Sequence, residues 1–235
     1  FSRIVIAAGG AEPMPEPLLR SWFDHGVPIV EVYGMTETCG LACCLLREDI
    51  PDKIGSAGKA SMFIDIKIMK SDNEEAACGE QGEIWMRGSN VTPGYWRRPD
   101  ANETAFADGW LRSGDIGRKD EEGFIYIDDR IKDMYISGGE NVYPAEVDHV
   151  LYMIPPLSEV AVVGVPDEKW GEVGCAVAVL KDGEELGLEE VQEHCSGKLA
   201  VYKHPRYLVI RDELPRNATG KVLKFRIREA LEEEF

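Results

Sequence analysis

The sequence holds no apolar run near the ~20 residues that a membrane-spanning helix requires, which excludes a helical membrane span within it. Basic charge is scarce. Lys and Arg number 26 against 43 Asp and Glu, a formal charge of -17. Binding along a nucleic-acid backbone needs clustered Lys and Arg, so this balance argues against that partner. The acidic surplus reads as a solvated, solubilising surface. Six cysteines (Cys39, Cys43, Cys44, Cys78, Cys175, Cys195) form no CxxC pair and no zinc spacing. They read as buried thiols of a reducing cytoplasmic compartment rather than as disulfides. A Walker phosphate loop is also absent. Gly58-Lys59 precedes Ala60, with Lys53 where the leading glycine belongs, and Gly220-Lys221 precedes Val222, with Pro215 in that place. The chain starts without Met or a signal-peptide layout and enters directly on strand-forming residues, as a piece of a longer protein would.

What is present describes a globular chain, 44% hydrophobic and 29% charged, long enough at 235 residues for two folding units. Arg3–Ala8 predicts a strand broken by Gly9-Gly10. Met14–His25 predicts a helix, with Leu18, Leu19, Trp22 and Phe23 at helical spacing and Gly26 as its stop. Val27–Tyr33 predicts a buried strand, so this stretch is the βαβ edge of an α/β layer. From about Ser56 to Ile136 the pattern becomes a compact β region. Strands are expected at Ile64–Ile68, Glu83–Arg87 and Phe124–Ile127, with turn signals at Cys78-Gly79, Pro93-Gly94, Asp108-Gly109 and Glu122-Gly123. Beyond Lys132 an α+β unit begins. It has a helix from Pro144, strands Glu159–Val165 and Cys175–Leu180, a helix near Leu188–Leu199, a strand Tyr207–Ile210 and a final helix from about Lys224. The domains expected are therefore residues 1–131 and 132–235.

Four segments carry chemistry together, although each alone is compatible with an ordinary turn or surface position. Tyr33-Gly34-Met35-Thr36-Glu37-Thr38 follows a buried strand, at the strand end where open α/β sheets hold ligands. There glycine admits a close ligand, Thr offers a hydroxyl to phosphate, and Glu suits a hard cation such as Mg²⁺. In Gly109-Trp110-Leu111-Arg112-Ser113-Gly114-Asp115 a carboxylate between glycine turns can accept from both hydroxyls of a ribose. Asp129–Pro144 holds a charged stretch suited to a solvated hinge, then Gly138-Gly139. Pro215-Arg216-Asn217-Ala218-Thr219-Gly220-Lys221 ends a turn-rich loop with a lysine expected to be mobile and exposed.

In this order and at these spacings the four segments resemble the adenylate-forming superfamily of acyl-CoA synthetases, luciferases and peptide-synthetase adenylation domains, over essentially the whole chain. The resemblance implies the C-terminal part of a large AMP-binding domain followed by a small mobile lid domain. It implies ATP/AMP, Mg²⁺ and coenzyme A as ligands, and a carboxylic acid as substrate. Gly10, Ala11 and Tyr33 would form the adenine slot, with Gly34 in the same segment and Ile127 packing nearby. Thr36 would touch phosphate and Glu37 would bind Mg²⁺. Asp115, helped by Arg130, would bind the ribose hydroxyls. Lys221 would be the catalytic lysine and Lys132 the hinge. Gly138 and Gly139 would line the pantetheine tunnel, and Trp170, Tyr202 and His204 match positions that contact the coenzyme A nucleotide in some relatives.

Asp129 stands where many relatives have glycine. The family's Pro-Lys-Gly phosphate loop and most of its acyl pocket should lie upstream, so the chain alone is expected to be incomplete for catalysis and to need the missing N-terminal part. Ser137–Pro144 looks like the CoA-ligase version, against the alternative of an enzyme that loads a carrier protein. The runs Gly138–Val147 and Asp167–Glu172 look most like fatty-acyl-CoA synthetases, while aryl and short-chain ligases carry related runs. For the chain by itself, a plain nucleotide-binding module is the other reading.

Overall fold

The computed structural model describes residues 3–4, 6–10, 14, 16–218 and 220–232, the last by its backbone alone. The chain divides into two compact units, Phe1–Asp128 and Asp129–Phe235.

The first unit opens with strand β1 (Ala7–Gly10), helix α1 (Glu16–Asp24) and strand β2 (Ile29–Tyr33), with β1 and β2 parallel. Gly26, at φ +78°, ends α1 as expected, and its N–H donates to the Phe23 carbonyl at 2.8 Å. Gly9-Gly10 does not break the first strand; it is part of it. A Cβ on Gly10 would lie 2.6 Å from Val32 Cγ2, so only glycine lets the two strands lie this close. Strands β3 (Cys43–Cys44) and β4 (Lys59–Ala60) complete a four-stranded sheet in the order β1-β2-β3-β4. A second sheet holds β5 (Ile64–Met69), β6 (Gly82–Gly88), β7 (Phe106–Ala107), β8 (Trp110–Lys119) and β9 (Ile125–Arg130) in the order β5-β6-β8-β7, with β9 also on β8; helix α2 (Pro99–Ala105) precedes β7. Ile64, Ile68, Ile84, Met86, Leu111 and Ile125 form its buried core with Ala42 and Cys43. β5 alternates as a strand with one face on this core does, whereas β6 is buried continuously from Gly82 to Met86.

The second unit is a five-stranded sheet of β10 (Tyr135–Ser137), β11 (Glu140–Val142), β12 (Leu157–Asp167), β13 (Gly171–Leu180) and β14 (Tyr207–Ile210), with helices α3 (Pro144–Leu151), α4 (Leu188–Cys195) and α5 (Lys224–Glu232). The β12–β13 hairpin reads as continuous apolar sequence because both of its faces are covered. Val160, Val162, Ala176 and Ala178 pack with Val147, Leu151 and Val191. Ala161, Val163, Cys175 and Val177 pack with Ile227 and Leu231. Asp129 performs a specific task here: buried, it accepts from the Ala145 N–H at 2.7 Å and so caps the start of α3.

Cys43, Cys175 and Cys195 are buried cysteines outside any disulfide, as the composition suggests. Burial, and then the neighbouring Cys44, pushes the Cys43 thiol up to about 12, which keeps it protonated and inert. Cys39 and Cys78 depart from the expectation and are exposed. Among the described residues no helix is long and apolar enough to cross a membrane.

Candidate functional site

In the first unit, β2 delivers Tyr33 to a sharp turn. Thr36–Thr38 forms a 3-10 turn after Met35, and Cys39 closes it in the left-handed region at φ +52°. Buried Thr38 locks it, its Oγ1 accepting from the Met35 N–H and donating to the Met35 carbonyl, each at 3.1 Å. Gly34 serves this turn: a Cβ there would lie 2.3 Å from the Gly40 carbonyl oxygen, so the close approach it permits is that of the chain to itself. Thr36 is left exposed at the tip and Glu37 half-buried beside it.

Residues that sequence reasoning missed hold Glu37. Tyr95 Oη donates to Glu37 Oε1 at 2.7 Å, and the Thr92 N–H donates to the Glu37 carbonyl at 2.7 Å. The bond to Glu37, then burial, pushes the Tyr95 phenol up to about 12, so it stays a donor. Asn102 clamps Tyr95 from both sides, accepting its N–H at 2.7 Å and donating to its carbonyl at 3.2 Å. Asn90 ties the same loop down by donating to the Thr38 and Leu41 carbonyls. No local pattern could announce that Tyr95 meets Glu37, 58 residues away.

Among the described residues no three His, Cys, Asp or Glu side chains converge as a metal cluster. A single half-exposed carboxylate with one oxygen held by a phenol fits Mg²⁺, which binds through one or two carboxylates and completes its shell with phosphate and water.

Asp115 is presented by a feature that the sequence pattern hid. Trp110–Asp115, expected to lie between glycine turns, belongs to strand β8, the longest strand of the first unit. Glu83 pairs with Ile116 and Trp85 with Arg112, so Ser113-Gly114-Asp115 faces Ile84 alone as a bulge. Gly114 takes φ +73° within it. The bulge brings Asp115 Oδ2 to accept from Tyr33 Oη at 2.7 Å. Burial first, and the Asp115 charge second, hold the phenol proton on Tyr33 far above the ordinary range. Two residues 82 apart, predicted for base and ribose, thus meet directly. Ile127 packs on the same core as Tyr33. Gly10 lies on β1 opposite Val32, while Ala11 lies outside the described residues.

In the second unit, Gly138 (φ +61°) and Gly139 (φ +91°) form the two-residue turn of the β10–β11 hairpin. Paired positive φ angles match the right-handed twist of the strands. Gly138 donates its N–H to the Trp170 carbonyl at 2.8 Å, and a Cβ on it would lie 2.8 Å from the Trp170 ring. Gly139 faces open space. Trp170 is flanked by Lys169 (4.6 Å) and by Arg206 (5.5 Å), an arginine the motifs did not single out. Tyr202 is exposed on a 3-10 turn, and a ring nitrogen of half-buried His204 lies 3.2 Å from the Leu199 carbonyl. Lys132 is exposed on the turn after β9, which Asp133 and Met134 close by donating to the Arg130 carbonyl. Arg130 is half-buried, and its N–H donates to Asp129 Oδ1 at 2.7 Å.

Lys221 corrects an expectation. It is half-buried rather than exposed, and its backbone is tied twice to Asn217: the Lys221 N–H donates to Asn217 Oδ1 and the Asn217 N–H to the Lys221 carbonyl, each at 2.9 Å. The asparagine side chain mimics backbone and so ties the two ends of this loop together. Thr219, in the same loop, lies outside the described residues.

Comparison with known proteins gives a consistent picture. Residues 1–96 match the model described as AMP-binding enzyme, and residues 146–221 the model described as AMP-binding enzyme C-terminal domain. The chain is 46% identical over 220 residues to a long-chain-fatty-acid–CoA ligase of Mycobacterium tuberculosis, covering 94% of this chain and 43% of that protein. It is 44% identical over 229 residues to the indoleacetate–CoA ligase of Aromatoleum aromaticum, covering 97% and 45%. Its backbone is similar to that of o-succinylbenzoate CoA synthetase from Bacillus subtilis, solved with its acyl-adenylate intermediate, at a TM-score of 0.90 and 42% identity over 96% of this chain and 46% of that one. The chain thus spans about half the length of the curated relatives it matches.

Proposed function

The chain belongs to the AMP-binding enzyme family, and on that premise we propose that it is the C-terminal half of an ATP-dependent acid–CoA ligase. The observation that carries this reading is the Tyr33–Asp115 hydrogen bond, which joins the residue predicted for the base to the one predicted for the ribose. Tyr33 donates its own phenol proton to Asp115 Oδ2, and a carboxylate has acceptor positions left over for ribose hydroxyls.

In the first half-reaction the substrate carboxylate attacks the α-phosphorus of ATP, the bond to pyrophosphate breaks, and an acyl-adenylate forms. In the second, the coenzyme A thiol attacks the acyl carbon, loses its proton, and AMP leaves. Two anions must meet in the first step. The Thr36 hydroxyl offers a hydrogen bond to phosphate. Lys221 supplies a compact positive charge that stabilises the charge developing in the transition state. Mg²⁺, held by Glu37, would neutralise phosphate charge when bound. Arg130 supports Asp115 at the ribose. Gly138 and Gly139 would line the path of the pantetheine arm, with open space beside Gly139, and Trp170, Tyr202 and His204 offer a surface for the coenzyme A nucleotide. Lys132 is the hinge.

The acid is proposed to be a fatty acid, a reading favoured by the 46% identity to a long-chain-fatty-acid–CoA ligase. The carrier-protein alternative gains no support, since each relative named above is a CoA ligase or synthetase. The test uses the full-length enzyme that contains this chain. Pyrophosphate release is followed across fatty acids of increasing length and aryl acids, with and without coenzyme A, and products are identified by mass spectrometry. Acyl-CoA from one fatty-acid length class is the expected result. Turnover confined to aryl acids would refute the substrate class, and adenylate that accumulates and ignores coenzyme A would refute the ligase.

A further inference from the structure

Strand β6 carries a carboxylate that none of the four segments uses. Glu83 is 9% exposed, and both of its oxygens are engaged. Oε1 accepts from the Gly114 N–H at 3.1 Å. Oε2 accepts from Trp85 Nε1–H at 2.8 Å and from Arg112 Nε–H at 3.1 Å. Arg112 also lies over the Trp85 ring at 5.5 Å, so the anchor is itself braced. A carboxylate is costly to bury, and a plain strand pair would not need one here. Its place explains it. Glu83 and Trp85 bracket the rung at which Ser113-Gly114-Asp115 bulges out. A bulge removes backbone N–H groups from the ladder, and Glu83 provides the acceptor that Gly114 loses.

We infer that Glu83 is a positioning residue for Asp115: it holds the β8 bulge in the shape that aims the Asp115 carboxylate at the nucleotide ribose. This rests on the reading of Asp115 as the ribose ligand. Glu83 itself touches neither nucleotide nor acid; it acts through Gly114.

The test compares ATP with 2′-deoxy-ATP and 3′-deoxy-ATP in the full-length ligase, for the wild type, Asp115→Ala, Glu83→Gln and Arg112→Met. Glu83→Gln keeps the shape but sets a donor against Gly114 or against the Trp85 and Arg112 donors. It should raise KM for ATP about tenfold and shrink the discrimination against the deoxy nucleotides, with kcat and the KM values for acid and coenzyme A within about twofold. Arg112→Met, at a more exposed site, removes one anchor and leaves the Gly114 bond. It should raise KM for ATP about threefold in the same selective way, and it keeps the test open should Glu83→Gln fold poorly. If the wild type takes the deoxy nucleotides as readily as ATP, Asp115 is not the ribose ligand and the inference falls with that reading. If the wild type and Asp115→Ala behave as ribose binding requires, the positioning role alone is overturned by either of two results: an unchanged KM for ATP in both brace variants, or a loss of kcat that is the same with every nucleotide.

Discussion

Both main-chain polar groups of Lys221 bond Asn217, so truncating its side chain leaves those two bonds in place. In the full-length ligase, Lys221→Ala should slow adenylate formation by about 10²–10³-fold, the scale of one lost transition-state electrostatic contact. Thioester formation from a supplied acyl-adenylate should be largely spared, and equal loss in both assays would show a structural lysine. Glu31, on β2, presents the opposite problem. Its Oε2 is buried without a hydrogen-bond partner, and burial, opposed by a bond from the Gly55 backbone, pushes the carboxyl from its ordinary 4.5 up to about 7. A raised folded value means that its contribution to stability is fully present below about 4.5 and is lost as the pH rises through about 7. Glu31→Gln should accordingly raise the thermal midpoint at pH 8, by roughly 5 °C, and leave it unchanged at pH 4. An equal shift at both pH values would exclude titration as the cause.

The β10–β11 hairpin separates two roles that adjacent glycines can have. Any side chain at either position meets the cost of a left-handed backbone, about 1–2 kcal/mol. Only at Gly138 does it also meet the Trp170 ring. In chemical denaturation, Gly138→Ala should thus destabilise by about 2–4 kcal/mol and Gly139→Ala by about 1–2 kcal/mol. Equal losses would mean that Trp170 moves aside. Gly139→Leu, whose Cβ meets no neighbour, should spare adenylate formation and slow thioester formation; intact thioester transfer would remove Gly139 from the pantetheine path. The β8 bulge shows the same economy, since one short run of Ser113, Gly114 and Asp115 leaves the ladder and gains a direct bond to Tyr33.

At the scale of the whole chain, each of the two units has its own buried core, and Asp129, the first residue of the second, is bonded within it to α3. Residues 129–235 should therefore fold alone, with one cooperative urea transition and dispersed amide resonances. A featureless spectrum would show that the unit depends on what precedes it. The intact 235-residue chain should release no pyrophosphate from ATP with any acid, because the expected phosphate loop is not in its sequence. Steady release would overturn that expectation.

Periodicity was enough for the elements whose hydrophobic pattern is local: α1, β5, β6, the β12–β13 hairpin, α3, α4 and α5 all lie close to where apolar spacing puts them. The four chemical segments were legible for the same reason, each being a short run of unusual residue types. What the pattern could not convey were the partnerships made by folding. The strand nature of Trp110–Asp115 was hidden because a bulge breaks the period of two. The supports of the site, Tyr95 on Glu37 and Glu83 beneath Gly114, are distant in sequence, and neither is distinguishable along the chain from the other tyrosines and glutamates. A side chain's type is written in the sequence, but its hydrogen-bond partner is chosen by strand register and by which groups burial leaves in need of one.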